Sequence, residues 1–337
     1  MGYKSGEIYF VRETDLGSTD YTSFVKIGLV AGDRSSEDRL TEHQTGNPRR
    51  LNNQTVIATN AVHRVEAQLH RLYAPYRVGG EWFDFSDEQA LKSAVETTQN
   101  LAKEMASYVP KFESAAALKA TLSTLPNLNA TAEASSFAKT FMTAKTKLSL
   151  CKALADEIKA KLSAAIEAGE DVQGAAKTKT VTPAPKFSVT KFKAAHKELY
   201  EEYCIKTPTI TESFKVLLDE VTRDQLDKEF LDEFSSIESE VAKITDLAEA
   251  YLLNLSQLSL TRLTSLAEWD FDLAEAELQN LCGKHEGIEG ICSWTRKPSS
   301  SSKFDLDRFA NEKIELWLEF TLPRDEYTRL IVNKKKI

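Results

Sequence analysis

The chain opens with short runs in which β-branched and aromatic positions crowd together, and only later settles into a helical period. Residues 7–11 and 24–29 are two such runs, separated by a polar segment that holds Gly17, and they predict two strands joined by a long hairpin loop. Ser35 and Ser36 are placed to cap a helix through Arg39 and His43, which Gly46, Asn47 and Pro48 end. A third strand fits 54–58 and a second helix 62–73. The run Arg77-Val-Gly-Gly80 then turns the chain into a last strand at 81–85, giving the order ββαβαβ.

After Ser86 the apolar positions recur at helical spacing. Ser86-Asp-Glu-Gln89 has the form of a capping box, and helical patterns follow to about residue 170, broken near Pro110 and Pro126. A second helical block covers 217–281. Within it Phe230, Phe234, Ile237, Val241, Ile244, Ala248, Tyr251, Leu255 and Leu258 alternate steps of four and three. That spacing suits a helix–helix seam, either inside one chain or across a homodimer joined through residues 230–258.

An internal repeat lies around this block. Phe187, Phe192, Leu199, Tyr200 and Tyr203 return as Phe304, Phe309, Leu316, Trp317 and Phe320, all at an offset of 117 residues. Residues 213–216 fall on 330–333 at the same offset. Each copy reads as strand, short amphipathic helix, turn and strand, with a long helix ahead of it. The expected fold class is therefore α+β: a small domain with a mixed or antiparallel sheet at 1–86, then a mainly helical region carrying two copies of a small α/β module. The first copy closes the region 87–217, and the second lies in 218–337 after the heptad segment.

Composition narrows the function. With 42% apolar and 28% charged residues the chain is ordinary globular material. No apolar run reaches the length of a membrane span and the N-terminus lacks a secretory pattern, so a cytoplasmic protein without a membrane partner is expected. Cys151, Cys204, Cys282 and Cys292 contain no C-x-x-C pair, which argues for reduced thiols rather than a zinc ribbon. A net charge of −8 argues against non-specific coating of nucleic acid. Residues 1–86, by contrast, are nearly neutral, and most of their cations are arginines. Elsewhere, Trp294, Arg296 and Lys297 form an aromatic-basic strand better suited to a core than to base stacking, residues 299–302 read as a flexible serine link, and 334–336 as a solvated basic tail.

The near-neutral segment concentrates the residue types that phosphodiester hydrolysis requires. Tyr9 and Lys26 fall on strands that, paired antiparallel, bring both to one face. Arg39 and His43 are one helical turn apart, as are Glu66 and His70. A carboxylate fixes a hard divalent cation, a guanidinium offers planar donors to the charged phosphoryl group, and a tyrosine needs a neighbouring cation such as Lys26 to ionise near neutrality.

The motifs Gly6-Glu-Ile-Tyr9, Lys26-Ile-Gly28, Gln44-Thr-Gly-Asn-Pro48 and Gly80-Glu-Trp-Phe83 resemble the GIY-YIG nuclease superfamily, and in particular a phage-associated branch whose second motif reads K-I-G. The resemblance covers residues 6–86. It implies a metal-dependent endonuclease, with DNA as the expected substrate and phage biology or anti-phage defence as the setting. It further implies that Tyr9 is the general base or positions water, Arg39 binds the scissile phosphate, His43 relays a proton or holds the tyrosine, and Glu66 ligates Mg²⁺ or Mn²⁺. Lys26 stands where the second motif of other members has tyrosine, and Glu81 is a candidate for the terminal polar residue. The alternative is an inactive member of the same fold that binds nucleic acid or a protein.

Overall fold

The computed structural model describes residues 3–32, 34–45 and 47–332. Gly46, Asn333 and the 334–336 tail, all used in the sequence reading, lie outside the described residues. The first unit contains β1 (Gly6–Thr14), β2 (Tyr21–Ala31), α1 (Ser36–Gln44), β3 (Leu51–Thr59) and α2 (Val62–Leu72), followed by β4 (Arg77–Gly79) and β5 (Trp82–Asp84). Their order across the sheet is β3-β1-β2-β5-β4, antiparallel throughout. Arg77–Gly79, expected as a turn, is itself a short strand that forms a hairpin with β5.

The alternation of β1 and β2 separates two faces. Ile8, Phe10, Val25 and Ile27 point to one side, where Val65 and Leu69 of α2 cover them. Tyr9, Val11 and Val30 point to the other, beneath Leu40 of α1. The α1 terminus forms as its sequence dictates: Ser35 and Asp38 exchange side-chain and backbone hydrogen bonds in a capping box. The box expected at Ser86–Gln89 does not form. Asp87 takes the cap position instead and accepts from the Gln89 N–H, so α3 (Glu88–Ser107) starts one residue later. Ala90, Leu91 and Ala94 of α3 complete the core under the sheet.

The helical part continues with α4 (Val109–Lys119) and α5 (Ala132–Glu167), and after the first module with α8 (Lys228–Lys243) and α9 (Leu253–Cys282). The expected seam exists but stays within the chain. Phe230, Phe234, Ile237 and Val241 of α8 bury against Cys151, Leu154 and Ile158 of α5. Its helical course is also interrupted between Ile244 and Leu252, and Leu255 is exposed, so the stripe offers no continuous face to a second copy. Trp269 of α9 reaches into the core of the first unit, where Tyr108 and Phe112 pack edge-on against it. Arg71 of α2 donates to Glu233 at 2.9 Å, and Arg64 lies 3.7 Å from Asp270. The helical part is thereby fixed against the sheet unit.

The repeat is a structural duplication. The first copy comprises β6 (Ala176–Val181), β7 (Lys186–Phe187), α6 (Val189–Ala195), α7 (Lys197–Glu202) and β8 (Cys204–Val216). After β9 (Gly287–Ile288), the second comprises β10 (Cys292–Phe304), α10 (Leu306–Glu312), α11 (Ile314–Glu319), β11 (Thr321–Leu322) and β12 (Tyr327–Val332). Helix ends correspond residue for residue at the offset, and the N-caps Ser188 and Asp305 each accept from the N–H three residues on. The copies clasp one another about a pseudo-twofold axis. The Ser188 N–H donates to the Phe320 carbonyl, and the equivalent Asp305 N–H donates to the Tyr203 carbonyl. Phe187 and Phe304 stack at 5.8 Å between them. Strand β6 pairs with β12, and β8 with β10.

Two local expectations fall differently. Residues 299–302 are not a flexible link, because β10 runs straight through them, paired with 206–209. Backbone pairing anchored by Trp294 and Phe304 on either side does not depend on what the serine side chains do. Trp294 and Arg296 are core residues: Arg296 is wholly buried, donates to the Leu118 and Gly283 carbonyls, and lies 3.7 Å over the indole.

Candidate active site

The antiparallel register sets Tyr9 directly opposite Gly28. The phenol lies across that glycine so closely that a Cβ at position 28 would stand 2.5 Å from the Tyr9 Oη, which gives the glycine of Lys26-Ile-Gly28 its physical reason. Lys26, two residues earlier on β2, projects from the same face. Its ammonium pairs with Glu81 at 2.9 Å, both side chains being largely buried.

Helix α1 places Arg39 and His43 over Tyr9. The hydroxyl of Tyr9 shares a hydrogen bond with the His43 Nε2 at 3.3 Å. The guanidinium of Arg39 donates to Glu42 at 2.6 Å and also to the phenol. On α2, Glu66 sits 3.9 Å from the His70 Nε2. That imidazole is fully buried and hydrogen-bonds the Ile27 carbonyl at 2.9 Å, so its work is to hold α2 on β2.

Electrostatics corrects one expectation. Burial pushes the Tyr9 phenol above its ordinary value of 10, the charge of Glu81 adds to this, and the Arg39 guanidinium only partly opposes it. Lys26 does not bring it down: its partner Glu81 is the charge that acts most on the phenol, and it acts upward. Tyr9 is therefore a phenol at neutral pH. His43 is pushed down to about 4 by burial and by the charges of Lys26 and Arg39, so it is a neutral imidazole. Burial disfavours the charge on Arg39, but its bonds to Glu42 and Tyr9 outweigh that and hold the guanidinium protonated.

A cleft of about 610 Å³ opens onto Tyr9 and Arg39. Strand β5 pairs only with Phe24–Lys26 of β2, and beyond the bond from the Ile27 N–H to the Glu81 carbonyl no strand among the described residues lies on that side. Tyr9 from one face and Leu29 from the other accordingly line the same space, with Arg39, Glu66 and Glu81. Residues 6–100 match the T5orf172 domain. That domain is phage-associated and of nuclease-like type. No curated protein and no solved structure matches the chain. The T5orf172 match ends inside α3, in agreement with the packing of Ala90, Leu91 and Ala94 on the sheet.

Four of the five residues singled out from sequence form one contiguous set on the five-stranded sheet and α1: Tyr9, Lys26, Arg39 and His43. Glu66 reaches the same cleft from α2. Among the described residues no three His, Cys, Asp or Glu side chains converge as a metal cage. One carboxylate is nonetheless a fitting donor set for Mg²⁺, which is commonly held by one or two carboxylates, waters and the substrate's own phosphate oxygens. Sequence reasoning did not foresee the far wall, which α5 and α9 provide with Cys151, Lys152, Gln257 and Arg262. Arg262 was hidden because, in sequence, it is a single cation inside an apolar helical period.

Proposed function

We propose that the T5orf172 domain is a GIY-YIG-type endonuclease that hydrolyses phosphodiester bonds in DNA, acting in the cytoplasm in phage biology or anti-phage defence. The observation that carries this reading is the convergence of Tyr9, Arg39 and Glu66 on one cleft. Glu66 would hold Mg²⁺ or Mn²⁺, which when bound supplies positive charge to the phosphate oxygens.

The remaining work falls to the chain. Arg39, kept protonated by Glu42, presents planar donors to the scissile phosphate. Tyr9 orients the attacking water through its hydroxyl. As the water's proton moves to the phenol oxygen, the phenolic proton passes to the Nε2 of His43, which is neutral and within hydrogen-bond reach. An incoming phosphate favours the imidazolium that results, since its negative charge offsets Lys26 and Arg39. Lys26 and Glu81 act as a pair that fixes the floor of the site.

Nicking of negatively supercoiled plasmid, whose underwound stretches open into single strands, and cleavage of a linear single strand, each with Mg²⁺ and with EDTA, test the reading. Glu66→Gln keeps the size of the side chain and removes its charge, so nicking is expected to fall by more than 10²-fold on the scale of a lost charge-stabilising group, while the circular dichroism spectrum stays unchanged. Nicking by the variant at the wild-type rate, or by the wild type in EDTA, would overturn it. DNA binding without any cleavage would point to the non-catalytic alternative.

A further inference from the structure

Helix α9 turns polar where it faces the sheet. Gln257, Thr261, Arg262, Ser265 and Glu268 line the cleft across from Tyr9 and Arg39. Arg262 is only 6% exposed, yet its Nε and Nη2 have no hydrogen-bond partner among the described residues. The Oε1 of the buried Gln257 lacks one as well. A buried guanidinium with unmet donors destabilises a fold, and an apolar side chain would pack there at less cost. The charges that balance it are carboxylates of Glu66, Glu81 and Glu233. A buried cation kept in the wall of a cleft with two donors unmet fits a site that completes its hydrogen bonds only when an anion enters and the side chain turns toward it.

We propose that Arg262 grips a backbone phosphate of a single unpaired strand lying between the sheet and α9. This deepens the nuclease reading and rests on it, adding the substrate class. Arg39 on one wall and Arg262 on the other bracket the strand, each with the planar donors that suit phosphate oxygens. The Gln257 amide donates to Thr261, which leaves its unmet Oε1 as an acceptor of the kind that contacts base donors. The volume, about 610 Å³, is that of a small-ligand pocket, roughly 300–1,000 Å³. It accommodates a nucleotide or two of one strand. A duplex presents two backbones across a major groove about 12 Å wide, more than a cleft of about 610 Å³ encloses.

The test is binding of fluorescent (dT)₁₂ by the full chain in EDTA, across a salt series, with melting temperatures alongside. Arg262→Met is expected to weaken binding at least tenfold and to flatten the slope of log K against log salt by about 0.7, the loss of one phosphate contact on a single strand. It should melt no lower than wild type, since it removes a buried charge with unmet donors. Arg262→Lys should keep the slope. A twelve-base-pair duplex should bind wild type at least tenfold more weakly than (dT)₁₂. Unchanged affinity and slope in Arg262→Met, or a duplex bound as tightly as the single strand, would overturn the proposal. So would a lower melting temperature or failure to fold in Arg262→Met, which would make Arg262 a structural counter-ion for Glu66 and Glu81. The two readings separate cleanly: full nicking by Glu66→Gln sinks the nuclease assignment but not a shifted salt slope, whereas an unmoved slope with nicking lost in Glu66→Gln sinks Arg262 alone.

Discussion

Single residues in the cleft act through their neighbours' charges more than their own. His43 is neutral above about pH 4 because burial, Lys26 and Arg39 all disfavour its imidazolium. If it accepts the Tyr9 proton, the acid limb of kcat/KM should lie near pH 4, with activity lost as pH falls through it. Lys26→Met removes one of those cations and leaves Glu81 unpaired, and both changes raise the imidazole. The limb should then move upward toward 6.5. A pH–rate profile over pH 3.5–9 checks this, and an unmoved limb would remove Lys26 from the electrostatics of the site. Tyr9, Arg39, His43 and Glu66 were legible because short-range chemistry and motif spacing travel together in sequence. The pairing of Lys26 with Glu81 was not, since it depends on which strand lies beside β2, a fact of register that no local pattern carries.

At the scale of elements, period and capping told most of the story. The strands of the first unit and the breaks between α3, α4 and α5 follow from β-branched runs and from prolines, while the α8 stripe could not reveal by itself whether its seam partner belonged to the same chain. The duplicated modules were visible as aromatic spacing, and their mutual packing follows from size: about 30 residues bury too little apolar surface to stand alone. Phe192 and Phe309, equivalent in the two copies and both fully buried, meet with ring centroids 4.6 Å apart. Phe192→Ala should cost about 3–5 kcal/mol by emptying that shared core. Because the two rings touch, the double variant should lose less than the sum of the singles, with a coupling of about 0.5–3 kcal/mol in urea unfolding. Strict additivity would mean that the copies do not rely on each other.

Across the whole molecule, the sheet unit, helices and modules form a continuous set of contacts, and no helix among the described residues is long and apolar enough to cross a membrane. Global stability should carry the signature of its buried imidazoles. His43 titrates at about 4, and His70 well below its ordinary 6.5 owing to burial and to Arg262 and Arg77, whereas the unfolded chain takes up both protons near 6.5. The unfolded state thus binds more protons between those values, and stability falls as pH drops from about 6.5 toward 4. Melting temperatures at pH 7, 6 and 5 should decline in that order, and His43→Gln should flatten the decline. A pH-independent series would mean that both imidazoles are as accessible to protons folded as unfolded.

The clasp between the two copies also sets an order in time. Strand β6 finds its partner β12 only about 150 residues later in the chain, whereas the five-stranded sheet closes within the first hundred residues. Contacts between distant segments form late, and on the ribosome N-terminal units fold first. At roughly 5–20 residues per second, the sheet with Tyr9 and Arg39 is finished many seconds before α9 and its Arg262 emerge. During synthesis the wall that carries Tyr9 and Arg39 therefore exists before the wall that carries Arg262, and the cleft between them is complete only when the long helices are clamped in place.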